Sequence, residues 1–372
     1  MVDFELSDEQ AMLKAATRDL LRDRYPMERV REGLEGPTTS ATELWRRGAD
    51  IGWTGLALPE EVGGAGQGLV ELALVAEERG RALARGAVET TAVVGLALAR
   101  ADSPELSAEF LPRLVAGTLR ATWAFAEPGR PWTLDGLTAT AAATEDGYVL
   151  QGRKTLVEDA GLADVVLVTA LLDGRPTNFV VDAADLRTRP QRVLDLTRDF
   201  GAVDLDGVRV PGGRRLPGEP AALQRLLDDA AVLGCAGALG VLDRLLEMTV
   251  EYTTVRHQFD RPIASFQAVK HGAADMAIAV QGARAATYLA AMAADAGVPD
   301  AALTAAVAAS HVSDVLPRVA GEALQLHGGI GFTWEHDLHL YLRRAKVDEV
   351  LHGDAPVHRE RICDLVQRAR TA

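Results

Sequence analysis

Cysteine is nearly absent from this chain. Cys235 and Cys363 are its two thiols, too few for a disulfide framework. Cys235 lies in the apolar run Val-Leu-Gly-Cys-Ala-Gly-Ala-Leu, which reads as buried helix, and both thiols are expected to be buried. Lysine is confined to Lys14, Lys154, Lys270 and Lys346, and the formal net charge is -14. That balance argues against a nucleic-acid surface, because phosphate binding needs clustered Lys and Arg that acids do not cancel. No uninterrupted apolar segment is long enough to span a bilayer, and Met-Val-Asp-Phe-Glu-Leu-Ser-Asp-Glu-Gln at the start has no basic or apolar signal region. A cytoplasmic protein without a membrane segment is expected. No Cys/His cluster has metal-ligand spacing, and a Ser-His-Asp reading finds no nucleophile elbow.

What is there is an ordinary globular composition, 48% apolar and 25% charged, in a chain of 372 residues that can hold two or three domains. Ser7 followed by Gln10 is a capping-box pattern before Met12, Leu13, Ala16, Leu20 and Leu21 at helical spacing. Residues 42–51 are amphipathic, 58–68 read as a loop, and 69–98 as helix broken near Gly86. From Leu119 the texture changes to short Thr- and Val-rich runs at 121–125, 137–143, 148–151, 165–170, 178–181 and 202–210, separated by turn residues such as Asp146-Gly147 and Asp173-Gly174. These predict a small antiparallel β domain. After Pro217 and Pro220, the Ala/Leu-rich segments 223–255, 265–295, 301–327 and 338–344 predict a four-helix bundle. The fold class is mainly α with a central antiparallel β domain, divided as 1–118, 119–217 and 218–372.

Two segments combine polar groups with backbone access inside apolar helices. One is Arg256-His257-Gln258-Phe259-Asp260-Arg261-Pro262-Ile263, running on through Gln267; the other is Gln325-Leu326-His327-Gly328-Gly329-Ile330-Gly331-Phe332. An Arg at the end of a long helix, before a Pro-stiffened turn, can offer its guanidinium fork to a diphosphate. Paired glycines let backbone amides approach an anion. Singly, each is equally a helix terminus and a Gly stop.

Together, in this order after a β domain, they resemble the acyl-CoA dehydrogenase family over nearly the whole chain. The resemblance includes Pro59-Glu60-Glu61-Val62-Gly63-Gly64, Ala126-Glu127-Pro128-Gly129 and Arg343-Arg344-Ala345-Lys346. The tail, with Trp334-Glu335-His336-Asp337 and Gly353-Asp354, is most similar to members acting on steroid or other bulky acyl-CoA thioesters. The resemblance implies FAD bound at a subunit interface. Arg256, Gln258, Phe259 and Gln267 would then meet its pyrophosphate and adenosine end, with Gln325, Gly328 and Gly329 beside them; His257, His271 and His327 would serve as hydrogen-bonding neighbours.

The other half of the pattern is altered. Where the family carries an aromatic and a hydroxyl beside the flavin ring, this chain reads Lys154-Thr155-Leu156-Val157-Glu158-Asp159. Leu156 cannot stack as an indole does, and Glu158 places negative charge where flavin reduction builds it. Abstraction of an α-proton needs a positioned base in a water-poor pocket. The family's usual glutamate position falls on His352, in Leu351-His352-Gly353-Asp354, and its alternative position falls on Ala230. His352 and Asp354 are the candidates for the base, with Asp228 and Asp229 nearby; the bland reading makes the latter two solvated helix acids and the former two loop polarity.

The resemblance therefore implies α,β-dehydrogenation of an acyl-CoA by a supporting subunit that completes FAD binding on a second, unlike subunit of a heterotetramer, with an electron-transfer flavoprotein as electron acceptor. Two alternatives stay open: a self-sufficient homotetramer using His352 or an Asp as base, and a non-redox acyl-thioester binding protein or lyase.

Overall fold

The computed structural model describes residues 5–35 and 39–371, so part of the start that was read for targeting signals lies outside the described residues. Helix α1 (Asp8–Arg24) opens on the expected capping box: Ser7 Oγ accepts the Gln10 N–H at 3.2 Å, and Gln10 Oε1 accepts the Ser7 N–H at 3.0 Å. It is followed by α2 (Met27–Glu32), α3 (Thr39–Asp50), α4 (Leu69–Arg81), α5 (Val88–Arg100) and α6 (Pro104–Val115). The helical stretch breaks, as its sequence predicts, at Gly86, whose φ of 96° suits glycine.

The middle region contains β1 (Ala121–Ala124), β2 (Thr140–Thr144), β3 (Gly147–Gln151), β4 (Arg153–Glu158), β5 (Val165–Leu172), β6 (Arg175–Asp182), β7 (Arg187–Gln191), β8 (Phe200–Asp204), β9 (Val208–Pro211) and β10 (Arg215–Leu216). It is not purely antiparallel, which corrects the sequence-based expectation. β1 and β2 both pair with β5 in parallel, within a larger sheet ordered β10-β6-β5-β2-β3-β9. A separate sheet holds β4-β8-β7. The run read as one strand at 202–210 is two strands in different sheets, because Asp204 and Gly207 bracket a turn whose N–H groups bond Asp204 Oδ1 and Leu150 O. Periodicity does not announce β4 or β7, because Arg-Lys-Thr-Leu-Val-Glu and Arg-Thr-Arg-Pro-Gln carry little apolar alternation; only the family resemblance marks the run at Lys154 as a strand.

The chain then returns to helix with α7 (Pro220–Val255), a two-residue hairpin of β11 (His257–Gln258) and β12 (Arg261–Pro262), α8 (Gln267–Ala296), α9 (Ala301–His327), α10 (Leu338–Asp348) and α11 (Ala355–Thr371). The fourth long bundle helix is α11, which packs along α9, and not the 338–344 segment, which is the shorter α10. α11 is polar along most of its length and buries little beyond Ala355 and His358, so hydrophobic periodicity does not announce it. Cys363 on its outer face is exposed, contrary to the expectation of two buried thiols; Cys235 is buried as expected.

Helices α4 and α7 approach closely through glycine. A β-carbon on Gly80 would fall 1.9 Å from the Gly237 carbonyl oxygen, and one on Gly240 would fall 1.8 Å from that of Glu77. This contact brings α4 against the middle of α7 and forms the floor of a cavity that the β region and the α10–α11 turn close.

Candidate functional site

The cavity, of about 80 Å³, lies between α4, α5, α7, α9 and the loops of the β region. Its apolar wall includes Val93, Trp123, Ala230, Ala231, Leu233 and Ala238. Rings continue that wall: Trp123 lies 5.1 Å from Phe125, Phe125 stacks on Trp132 at 5.6 Å, and Trp132 meets the edge of His352 at 4.9 Å. His352 occupies a turn at φ 65°, followed by Gly353 at φ 102°. His358 Nε2 donates to the His352 carbonyl at 3.1 Å and pins that turn. Gly234 makes the room, since a β-carbon there would lie 2.9 Å from His352 Cδ2.

Burial, reinforced by the nearby Arg198 and His358, pushes the His352 imidazole down to about 3. Its Nδ1 is enclosed without a hydrogen-bond partner among the described residues. A ring so averse to a proton is a poor acceptor for one taken from carbon. Asp354 is engaged elsewhere: its carboxylate accepts the Val357 N–H at 3.1 Å at the start of α11, and it does not line the cavity. Ala230 does line it and offers no proton acceptor.

Asp228 and Asp229 are not the solvated helix acids that the bland reading made them. Asp228 is bound by Arg361 of α11, with Nη2 to Oδ2 at 2.7 Å, and Asp229, 1% exposed, is paired with Arg100 of α5. Neither residue lines the cavity. Helix-face acids become buried when neighbouring helices bring arginines to them, which no single-helix pattern reveals.

The polar wall comes from two stretches remote in sequence. Arg344 on α10 pairs with Asp195 at 2.6 Å and donates to Thr197 Oγ1 at 2.5 Å, while Arg198 bonds Asp195 at 3.0 Å and pairs with Asp348. Although burial alone would raise it, Arg344 and Arg198 hold the Asp195 carboxyl down to about 2. Arg198, Asp195 and Asp348 went unremarked in the sequence; their signal, Asp-Leu-Thr-Arg with the Asp and Arg three apart, has meaning only once α10 is in place.

Glu158 and Asp159 end β4 at the N-terminus of α5, where a helix dipole favours acids. Asp159 accepts the Ala87 N–H at 2.8 Å, and Thr90 Oγ1 donates to Glu158 Oε2 at 3.2 Å. Burial pushes the Glu158 carboxyl up to about 7, against the pull of Arg198, whose Nε stands 4.0 Å away. Leu156 is held at φ 50°, its N–H bonded to Gln191 Oε1 at 2.8 Å. The segment beginning Lys154 meets the segment 126–129 in the core: Lys154 Nζ donates to Glu127 Oε1 at 2.7 Å, and the Glu127 carboxylate also accepts the N–H groups of Thr138 and Ala139.

The two motif segments gather at the far end of the bundle. Tyr252 on α7 stacks on His327 at the end of α9, ring centroids 4.6 Å apart, and so sets the Arg256 hairpin beside the Gly328-Gly329 turn. His327 Nδ1 donates to Ala323 O at 2.7 Å, His257 Nδ1 pairs with Val255 O at 3.1 Å, and His271 is exposed. Arg256, Gln258, Gln267, Gln325, Gly328 and Gly329 are exposed, and the Arg256 guanidinium has no ion-pair or hydrogen-bond partner among the described residues. Phe259 and Asp260 turn the hairpin at φ 51° and 63°, a conformation costly for residues with a β-carbon. Phe259 projects with 86% of its surface exposed.

Within one chain this end is remote from the cavity. From Ala238, the last α7 residue of the cavity wall, to Arg256, the helix rises roughly 27 Å at 1.5 Å per residue.

The acyl-CoA dehydrogenase N-terminal domain model matches residues 7–118 and the C-terminal domain model residues 218–366. The chain belongs to the acyl-CoA dehydrogenase family. Among relatives of this oxidoreductase family, the acyl-CoA dehydrogenase IpdE2 of Mycobacterium tuberculosis is 33% identical over 94% of this chain and 92% of its own. The ChsE4–ChsE5 complex of M. tuberculosis superposes with a TM-score of 0.90 at 32% identity, covering 98% of this chain and 99% of that one. A variant of the Tcur3481–Tcur3483 steroid ACAD gives 0.89 at 33% identity over 98% and 99%. An acyl-CoA dehydrogenase of Bacillus anthracis complexed with FAD shares the fold, with a TM-score of 0.91 at 24% identity, covering 100% of this chain and 69% of that one. Acyl-CoA dehydrogenases of this arrangement place a helical region, a β region and a helical bundle in that order, as here. Among the described residues, no helix is long and apolar enough to cross a membrane.

Proposed function

We propose that this acyl-CoA dehydrogenase chain is the supporting subunit of a heterotetramer, with domains at 1–118, 119–217 and 218–372. The observation that carries the reading is the separation of its two half-sites. Arg256, Gln258, Phe259, Gln267, Gln325, Gly328 and Gly329 form an open polar end roughly 27 Å along α7 from the cavity, too far for the short linker between a flavin ring and its diphosphate. Those residues fit the diphosphate and adenosine of FAD bound in a neighbouring subunit: Arg256 offers an uncommitted guanidinium, and the turn at Gly328-Gly329 leaves its backbone unobstructed.

The chain's own cavity does not fit a flavin ring. Leu156 provides no aromatic face, and a buried carboxyl, Glu158, lies where the family resemblance puts a hydroxyl. Nor do the candidate base positions supply one, since His352 resists protonation and Asp354, Asp228 and Asp229 are bound elsewhere; Glu158, a carboxyl that does face the cavity, ends β4 and stands at neither of the family's base positions. The unlike subunit then supplies the flavin face and the carboxylate for α,β-dehydrogenation of a bulky acyl-CoA, and an electron-transfer flavoprotein takes the electrons. Phe259, held out in a costly turn conformation, supports a docking role, because backbone strain of that kind persists where a partner uses it. Heteromeric pairing among the relatives is consistent with this reading.

The test is expression of the chain alone and together with an unlike acyl-CoA dehydrogenase from the same genome, reading flavin absorbance and acyl-CoA-dependent dye reduction. Colourless, inactive protein alone and a yellow, active pair is the expected result. A yellow, active chain by itself favours the self-sufficient homotetramer; a colourless pair inert with every thioester favours a binding or lyase role.

A further inference from the structure

The cavity's charges are closely matched, with one looser pair. Arg344 is paired with Asp195, Arg198 with Asp348, and Arg79 with Glu89 at 2.7 Å. The remaining carboxyl is Glu158. Its Oε2 accepts from Thr90, while its Oε1 has no hydrogen bond among the described residues; the nearest cationic nitrogen, Arg198 Nε, is 4.0 Å away. The side chain keeps 15% of its surface exposed, and the space it faces is the cavity. The carboxyl thus keeps one hydrogen bond and a long ion pair, and its Oε1 lacks the hydrogen-bond partner that buried polar atoms ordinarily have. The surroundings are otherwise largely hydrocarbon, Val93, Trp123, Leu233 and the small residues of α7, with Ser313, His352 and His358 as further polar groups of the lining.

This combination selects a class of ligand. An anion would meet arginines whose charge is already neutralised, and would lie against Glu158 at the cost of its own hydration. A purely hydrocarbon molecule would leave Oε1 without a partner. A neutral molecule with one hydroxyl satisfies both demands, because the hydroxyl can donate to a carboxylate or accept from a carboxylic acid.

We propose that the cavity is a ligand site of this chain in its own right, taking a compact neutral hydrocarbon body whose hydroxyl group hydrogen-bonds to Glu158 Oε1. The inference rests on the reading above in one respect, that the chain's own flavin does not fill the cavity. The ligand body is either a free molecule or the tail of a CoA thioester whose nucleotide stays outside.

Equilibrium dialysis of the full-length chain against 2-naphthol, naphthalene and 2-naphthoate tests it. One neutral hydrogen bond predicts that 2-naphthol binds about fivefold more tightly than naphthalene, with 2-naphthoate the weakest of the three. Glu158→Leu removes the preference for 2-naphthol, whereas Glu158→Gln, which keeps both hydrogen-bonding functions, retains it; circular dichroism of both variants verifies the fold. Competition by 6-hydroxy-2-naphthoyl-CoA separates the sources: displacement at least tenfold more effective than by 2-naphthol assigns the site to a thioester tail, and displacement no better than by 2-naphthol assigns it to a free molecule. Equal binding of 2-naphthol and naphthalene, tightest binding by 2-naphthoate, or an unchanged preference in folded Glu158→Leu overturns the proposal. Absorbance near 450 nm of the same preparation tests the supporting-subunit reading separately, since a flavin-loaded chain overturns that reading whatever the order of the probes after flavin is removed.

Discussion

The imidazole of His352 stands edge-on to the indole of Trp132, ring centroids 4.9 Å apart. The two residues lie in the segments that depart most from the family pattern, one after the first β-region motif and the other in the α10–α11 turn. Their contact is packing. It extends the ring ladder from Trp123 through Phe125 across one side of the cavity, and with burial and Arg198 it keeps the histidine neutral.

His352→Ala in the assembled pair is therefore expected to change kcat by less than about twofold, while lowering Tm through lost ring packing. Steady-state dye reduction and a thermal melt on one preparation check it. A hundredfold fall in kcat with flavin retained would restore His352 as the base.

At the other end of the bundle, Arg256 is exposed and without a side-chain partner among the described residues. Arg256→Ala is expected to leave the melting temperature of the isolated chain within about 1 °C, as for surface substitutions in general, and to lower the flavin-to-protein ratio of the pair at least tenfold. Flavin retained in full by the variant pair would count against the grip.

The Arg100–Asp229 pair joins α5 to α7 beside the cavity. Arg100→Ala strands a buried carboxylate and is expected to cost on the order of 2 kcal/mol at pH 7. Burial already raises the Asp229 carboxyl against the pull of Arg100, so without its partner it takes up a proton more readily, and the loss should shrink towards pH 5. Urea titrations at the two pH values measure the difference; a pH-independent loss would contradict it.

Glu158 gives a second pH signature. Its carboxyl is raised from the ordinary range to about 7, so the fold favours the protonated form. Its contribution to stability is full below the ordinary glutamate range and is lost as pH rises through about 7. Glu158→Gln is expected to be more stable than the parent at pH 8, by on the order of 1–3 kcal/mol, and close to it at pH 4. Asp159, raised to about 6 mainly by burial, remains in both proteins and cancels in the comparison. Equal shifts at both pH values would show that Glu158 is already ionised in the fold.

The order of helical, β and helical regions was legible in the sequence, because periodicity, caps and turn residues are local. Ser7 and Gln10 make their box, and Gly86 divides its helices. The polar end was legible too, since Arg256, Gln258, Gly328 and Gly329 adjoin helix termini, where backbone groups are free whatever the tertiary context. The parallel pairing of β1 and β2 with β5 was not, nor was α11, whose polar text gives no apolar stripe. Above all, charge depends on three-dimensional neighbours. Asp228 and Asp229 look like surface acids until Arg361 and Arg100 arrive from other helices; Asp195 and Arg344 are 149 positions apart and have no visible relation before α10 packs on the β region. The sequence alone determined which residue types stand at each position, including the histidine and alanine where a base is expected. The tertiary structure decided that His352 is sequestered and neutral, that neither aspartate lines the cavity, and that Glu158 keeps only a long contact with Arg198, because burial and distance set the cost of a charge and neither is written in a linear pattern.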